Sequence, residues 1–284
     1  MLVTPRPGVN RDHLLRELQT VHVGAMGLMA NAPAASARER VADYMAWAVR
    51  SARRLRRLIN AADVERLILT PRYMLVVGVN GAAIAGDLIA VEVEERAEEL
   101  EAAILALQTR IARWSGPSTF VVADSSFYIE HADKLENLNF RSILGPAESE
   151  KVHLLFPMMV VDELDRIKEH RDGQKRWRAG YTLAFLEGKL TADGTGILRR
   201  STLGENDSEL GEITAEILFD PPNHIRMPIA DDEIIDRALA VQALAPAPVM
   251  LVTYDTGQST RGRLAGLSVK KLRKPKPDNE AASK

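Results

Sequence analysis

Three short apolar runs in the second half of the chain lead into acids, and this recurrence constrains the fold more than any other feature. Phe120-Val121-Val122-Ala123 gives way to Asp124. The run Val152 to Val161 leads into Asp162-Glu163, and Pro248 to Thr253 into Tyr254-Asp255. Helical spacing separates them: Asp162 to Lys168, Trp177 to Leu190 and Glu233 to Leu244. Glu212 to Phe219 alternates like a half-buried strand. Apolar strands alternating with helices predict an α/β fold, a parallel sheet covered on both faces. Thr191 to Gly211 reads as a polar, mobile loop.

The first half has a different pattern, and Ser115-Gly116-Pro117 marks the change. Leu14, Leu15, Leu18 and Val21 recur at helical spacing. A second helix places Val41, Met45, Val49, Ala52, Leu55 and Ile59 on one stripe, ending at Asn60 to Asp63. Leu67 to Pro71 reads as an irregular or extended link. A third helix, Asp87 to Trp114, carries Leu88, Val91, Leu100, Ile104, Leu107 and Ile111, with glutamates crowding its first half. The expected organisation is a helical N-terminal region at 1–116 that packs antiparallel and serves oligomerisation, an α/β domain at 117–270 and a disordered basic tail at 271–284.

Composition narrows the functional classes. With 284 residues and about 150 per domain, two units fit. There is no cysteine, so thiolate metal sites, cysteine nucleophiles and disulfides are excluded. The charge balance of 37 basic against 39 acidic residues rules out a globally basic polyanion binder. No stretch reaches the roughly 18 apolar residues of a spanning helix. The N-terminus lacks the apolar core of a secretory signal, so a cytoplasmic location away from membranes is expected.

In a parallel α/β sheet, ligands bind beyond the carboxyl ends of the strands. Asp124, Glu163 and Asp255 stand there, and Asp232 opens a helix that a loop can bring to the same edge. Each alone is explained by helix capping. Together they form a set whose mutual repulsion a dication would relieve, and oxygen-only ligands select Mg²⁺ or Mn²⁺. Such an ion suits phosphodiester hydrolysis. Asp162 and Asp165 flank Glu163. Asp231 could take the place of Asp232 but is expected to cap the helix instead, and Asp236 is either an added ligand or a solvated acid.

The pieces VVADSSFYI, PMMVVDELDRIK, ADDEIIDRA and VMLVTYDTG, in that order, cover most of residues 118–270. This pattern resembles the PIN domain family of metal-dependent ribonucleases. The resemblance implies a PIN-like parallel sheet flanked by helices and an Mg²⁺ or Mn²⁺ site of Asp124, Glu163, Asp232 and Asp255. It also implies a hydroxyl at Thr253 that supports the site.

The function expected is hydrolysis of single-stranded RNA. The alternatives are a non-catalytic RNA- or protein-binding module, or a toxin of a toxin–antitoxin pair, which the long N-terminal region disfavours. Arg261 and Arg263 are candidates for substrate phosphate, with ordinary surface charge as the other reading. The cations from Arg166 to Arg178 are read as a backbone contact or a solvated face. Arg50, Arg53, Arg54 and Arg57 are expected to pair with the third helix's glutamates. Trp177 and Tyr181 are read as core residues rather than a base-stacking pair. His131, His153 and His224 show no ligand spacing.

Overall fold

The computed structural model describes residues 3–6, 8–32, 35–78, 83–116, 119–145, 149–203, 209–220 and 224–273. The chain divides into two compact units, Met1–Ser115 and Gly116–Lys284.

The first unit is helical: α1 (Arg11–Asn31), α2 (Ala37–Leu55), α3 (Ala61–Leu67), α4 (Pro71–Gly78) and α5 (Ala83–Arg113). Asn10 caps α1 by accepting from the Asp12 and His13 amides, and Ser36 with Glu39 forms a capping box on α2. The buried face of α2 is rotated from the one expected, although Leu55 stays inward. Tyr44, Trp47, Ala48, Ser51 and Leu55 point inward, while Val49 is 38% exposed. Two aromatic rings bury more area than the aliphatics they displace, and Trp47 Nε1 donates to the Val21 carbonyl at 3.1 Å. The expected link at 67–71 is the junction between α3 and α4. Arg54 pairs with Glu17 of α1 at 2.9 Å, not with the glutamates of α5.

The glutamate that matters inside this unit is Glu92 on α5, which is 1% exposed. It accepts from Thr70 Oγ1 at 2.7 Å and Tyr44 Oη at 3.2 Å, and pairs with Arg72 at 3.2 Å and Arg96 at 3.3 Å. Its charge is buried because two guanidinium groups and two hydroxyls meet it.

The second unit holds β1 (Thr119–Ala123), α6 (Ser125–Glu130), α7 (Phe140–Leu144), β2 (Lys151–Pro157), α8 (Met158–Ile167) and α9 (Gly173–Lys189). β3 (Thr195–Arg199), β4 (Thr202–Leu203), β5 (Glu209–Leu210) and β6 (Glu212–Leu218) follow. α10 (Ala230–Gln242), β7 (Val249–Thr253), α11 (Thr256–Leu264) and β8 (Ser268–Lys271) complete it. Six strands form one sheet in the order β3-β6-β2-β1-β7-β8, parallel except for β3, and β4 pairs with β5 apart from it. β1 is buried throughout and β7 at every position but Met250, as expected for strands covered on both faces.

Three sequence expectations shift. Met158 to Val161 belongs to helix α8, not to the preceding strand, because Pro157 ends β2 and Met159, Val160 and Leu164 then bury one helical face. An apolar run of this kind has no periodicity that separates strand from helix. The polar stretch 191–211 contains β3 and the β4–β5 pair, with 204–208 outside the described residues. Lys271, expected in the tail, lies with Lys270 in β8 beside β7; residues 274–284 are outside the described part. Among the described residues, no helix is long and apolar enough to cross a membrane.

Replacing Glu92 by Ala removes the buried carboxylate beside Arg96 and leaves it only the more exposed Glu95, at 3.6 Å. The expected result is a loss of about 3–5 kcal/mol, measured by urea denaturation of the full chain.

Candidate functional site

The chain runs from β1 outward to β2 and β6, then returns to lay β7 on the other side of β1. The adjacent ends of β1 and β7 therefore form the topological switch point, where a crevice opens. Register places Ala123 beside Val252, so the next residues along, Asp124 and Thr253, are neighbours. Asp124 caps α6, its Oδ1 accepting from the Phe127 amide at 3.1 Å. Its Oδ2 accepts from Thr253 Oγ1 at 2.9 Å and from Ser126 Oγ at 2.8 Å. Thr253 Oγ1 in turn accepts from the Asp255 amide at 2.9 Å, and Asp255 Oδ1 caps α11 by accepting from the Gln258 amide at 2.7 Å. Gly262 lets α11 lie close to β7, since a Cβ there would come 2.7 Å from Leu251 Cδ2.

Two helices bring further acids. Glu163 sits in the second turn of α8, half-buried, with the Ser125 hydroxyl as a hydrogen-bond partner. Asp231 is the second residue of α10. Burial raises the Asp231 carboxyl above its ordinary range; the Asp255 and Asp232 charges add to the rise and Arg261 opposes it. Burial also raises Glu163, opposed by Ser125 and reinforced by Asp231. Asp124 is pushed up to about 6, by burial first, against its hydrogen bonds from Ser126, Thr253 and Phe127 and with the Asp231 charge. The negative field of Asp231 thus reaches Asp124 and Glu163, and that of Asp255 reaches Asp231.

This reverses the expected roles of the α10 pair. Asp231 faces the other acids, whereas Asp232 Oδ1 accepts from Arg261 Nη1 at 2.9 Å at the surface. The expected cap at Asp231 is absent too, because α10 begins after Ile229 with no side-chain cap. A sequence signal for this phase exists. Ile234, Ile235 and Ala238 are buried, and Asp231 lies three and four residues before the two isoleucines, on the inward stripe. The same rule selects Glu163, which follows buried Met159 and Val160 by four and three residues.

The remaining candidates are placed as follows. Thr253 is fully buried, so it positions Asp124 and Asp255 and cannot touch substrate. Arg261, read as a phosphate contact, is engaged by Asp232 and stays partly exposed. Asp162 pairs with Arg226, Asp165 with Lys168 and Asp236 with Arg237, so each flanking acid has a cation of its own.

Among the described residues, the trio with ligand atoms all within 4.8 Å of one another is Asp220, His224 and Glu233, close enough to hold one ion. Sequence reading did not find it, because Asp220 and His224 fall in a loop without ligand spacing. Its charge is already met: His224 Nε2 lies 2.7 Å from Glu233 Oε1, Met227 N donates to Oε2 at 2.8 Å, and Arg226 binds Asp220 at 2.6 Å. These bonds tie the segment before α10 to its first turn. The strand-end acids stand farther apart than that trio, as like charges do when the groups around them are hydroxyls and amides. Their all-oxygen donor set, with the proton affinity of Asp124, Glu163 and Asp231 raised by burial, fits a hard dication.

A carboxyl raised from 3.8 to about 6 holds its proton more tightly in the folded state. Stability from this group is therefore greatest below pH 4 and falls as pH rises through 6, by up to roughly 3 kcal/mol. Asp124→Asn is expected to flatten that decline and raise the melting temperature at pH 7.5 in EDTA, as read by calorimetric scans across pH 4–8.

A family model described as PIN domain matches residues 121–273. No match was found among curated proteins. The match spans more than half of the 284 residues and contains the end of β1, all of β7 and every acid of the crevice. On the strength of that match, and of a mostly parallel sheet with acids at its switch point, the chain belongs to the PIN domain family.

Proposed function

We propose that the second unit is a metal-dependent ribonuclease acting on single-stranded RNA. PIN domains are generally nucleases, which supports a nuclease-like module at family level. The observation that carries the reading is the focus of negative field on Asp231, shared by Asp124, Glu163 and Asp255, with no guanidinium neutralising Asp124 among the described residues. Asp124, Glu163, Asp231 and Asp255 would hold Mg²⁺ or Mn²⁺. When bound, such an ion supplies an activated water and stabilises the leaving oxygen.

The chain's own residues do the rest. Thr253 and Ser126 hold the Asp124 carboxylate in one rotamer, and Thr253 fixes the Asp255 backbone in the same contact. Ser125 orients Glu163. Arg261, held by Asp232 beside Asp231, presents a guanidinium at the rim where a substrate phosphate would arrive. Asp232 is thus a positioning residue in this reading, acting through Arg261.

The test is cleavage of labelled single-stranded RNA with Mn²⁺, with and without EDTA. Asp124→Asn and Asp231→Asn are each expected to lower the rate roughly 100-fold or more. Asp232→Asn is expected to cost roughly 10-fold, as for a supporting group. Equal activity of Asp124→Asn and the unaltered protein would end the proposal. Mn²⁺ is also expected to raise the melting temperature at pH 7.5, and this shift should shrink below about pH 6 as Asp124 takes up its proton. A metal-independent melting temperature at pH 7.5 would favour a non-catalytic binding module.

A further inference from the structure

The chain has three tryptophans, and two of them are core residues: Trp47 is 4% exposed and Trp114 0%. Trp177 is 52% exposed, so burial does not account for it. It begins a ladder on one face of α9. Its ring stacks on Tyr181 at 5.5 Å between centroids, and Tyr181 stacks on Phe185 at 6.1 Å. Lys134 Nζ lies 5.4 Å from the Trp177 ring centre and 5.1 Å from that of Tyr181. The sequence reading of Trp177 as core is corrected by this exposure.

A cavity of about 730 Å³ lies beside the ladder. One wall is the end of α6, with Ile129, Glu130 and His131; the other is the start of α9, with Lys175, Trp177 and Arg178. Arg178 is buried and donates to the Ala132 and Asp133 carbonyls, which fixes α9 against the chain after α6. Asp172, which also lines the cavity, spends its Oδ1 on the Gln174 and Lys175 amides. Arg171, Lys175 and Arg176 stand exposed around the same helix start.

The cavity connects to the acids through two short steps. Asp124 caps the other end of α6, a six-residue helix, which is a span of roughly 9 Å. The His131 ring is 6.5 Å from the ring of Tyr254, the residue directly before Asp255. An open indole, a half-exposed phenol and an imidazole between them are surfaces on which bases stack, and the cations of α9 suit the backbone charge.

We propose that Tyr254, His131 and Trp177 form a stacking path for single-stranded RNA, seating bases on the side of the crevice that leads to α9. The assignment rests on the ribonuclease reading above for the identity of its ligand. It commits to RNA rather than a protein partner because cations and stacked rings occur together here.

Binding is measured on the full chain in EDTA, where no cleavage occurs, by the anisotropy of dye-labelled oligoadenylate, with tryptophan emission as a second readout in the unaltered protein. Trp177 is the exposed indole, so quenching is expected on binding. Trp177→Ala is expected to weaken affinity roughly 5- to 150-fold, the effect of losing one base stack, and Trp177→Phe to restore most of it. Circular dichroism melts matching the unaltered protein exclude misfolding as the cause. Lys134→Ala, which leaves every ring in place, is expected to weaken binding and to lessen its salt dependence. Unchanged affinity in Trp177→Ala, or affinity recovered by no aromatic replacement, overturns the proposal and leaves the ladder to a protein partner. The two readings fail separately: retained cleavage in Asp124→Asn sinks the nuclease, whereas retained binding in Trp177→Ala sinks only the path.

Discussion

The hydroxyl of Thr253 makes two contacts that the rest of the crevice depends on. It donates to Asp124 Oδ2 and accepts from the Asp255 amide, tying the end of β1 to the end of β7 inside the protein. Parallel pairing of those strands supplies the proximity, and the hydroxyl converts proximity into fixed carboxylate orientation. Both acids then start helices, so the same side chains that face the crevice also satisfy amides of α6 and α11. Capping and site formation are one arrangement here, not competing explanations.

Two buried carboxylates in this chain meet opposite environments. Glu92 in the helical unit is surrounded by Arg72 and Arg96 together with two hydroxyls. Asp124 receives two hydroxyls and one amide, and the charge acting on it is that of another acid, Asp231. The first is a closed electrostatic unit suited to holding helices together. The second retains an excess of negative charge, which raises its proton affinity and leaves it suited to a cation that the chain itself does not provide. The neighbouring acids sharpen the contrast, because Asp162, Asp165, Asp220, Asp232 and Asp236 each have a Lys or Arg partner.

Helical phase explains most of what the sequence concealed. Asp231 and Asp232 are adjacent and chemically identical, and about 100° of rotation separates their directions on a helix of 3.6 residues per turn. Which of them faces the crevice depends on where α10 begins and how Ile234 and Ile235 seat against the sheet. In α2, Tyr44 and Trp47 take the interior in place of the aliphatic stripe for a similar reason: several faces of that helix are apolar enough, and packing selects one. Trp177 shows the limit from the other side, since an aromatic at helical spacing reads as core until its exposure is known.

The alternation of β1, β2, β6 and β7 with helices, the change of pattern near residue 116 and the acids directly after β1 and β7 were determined by the sequence alone. Local periodicity, turn residues and capping chemistry act over a few residues, and they are written in the chain directly. The tertiary structure decided that the charge of Asp231 acts on Asp124 and Glu163 while Asp232 pairs with Arg261, that Thr253 is sealed from substrate, and that Trp177 stays open to solvent. Those outcomes depend on how elements distant in sequence pack against one another. Burial and electrostatic field are properties of that packing, and no local pattern contains them.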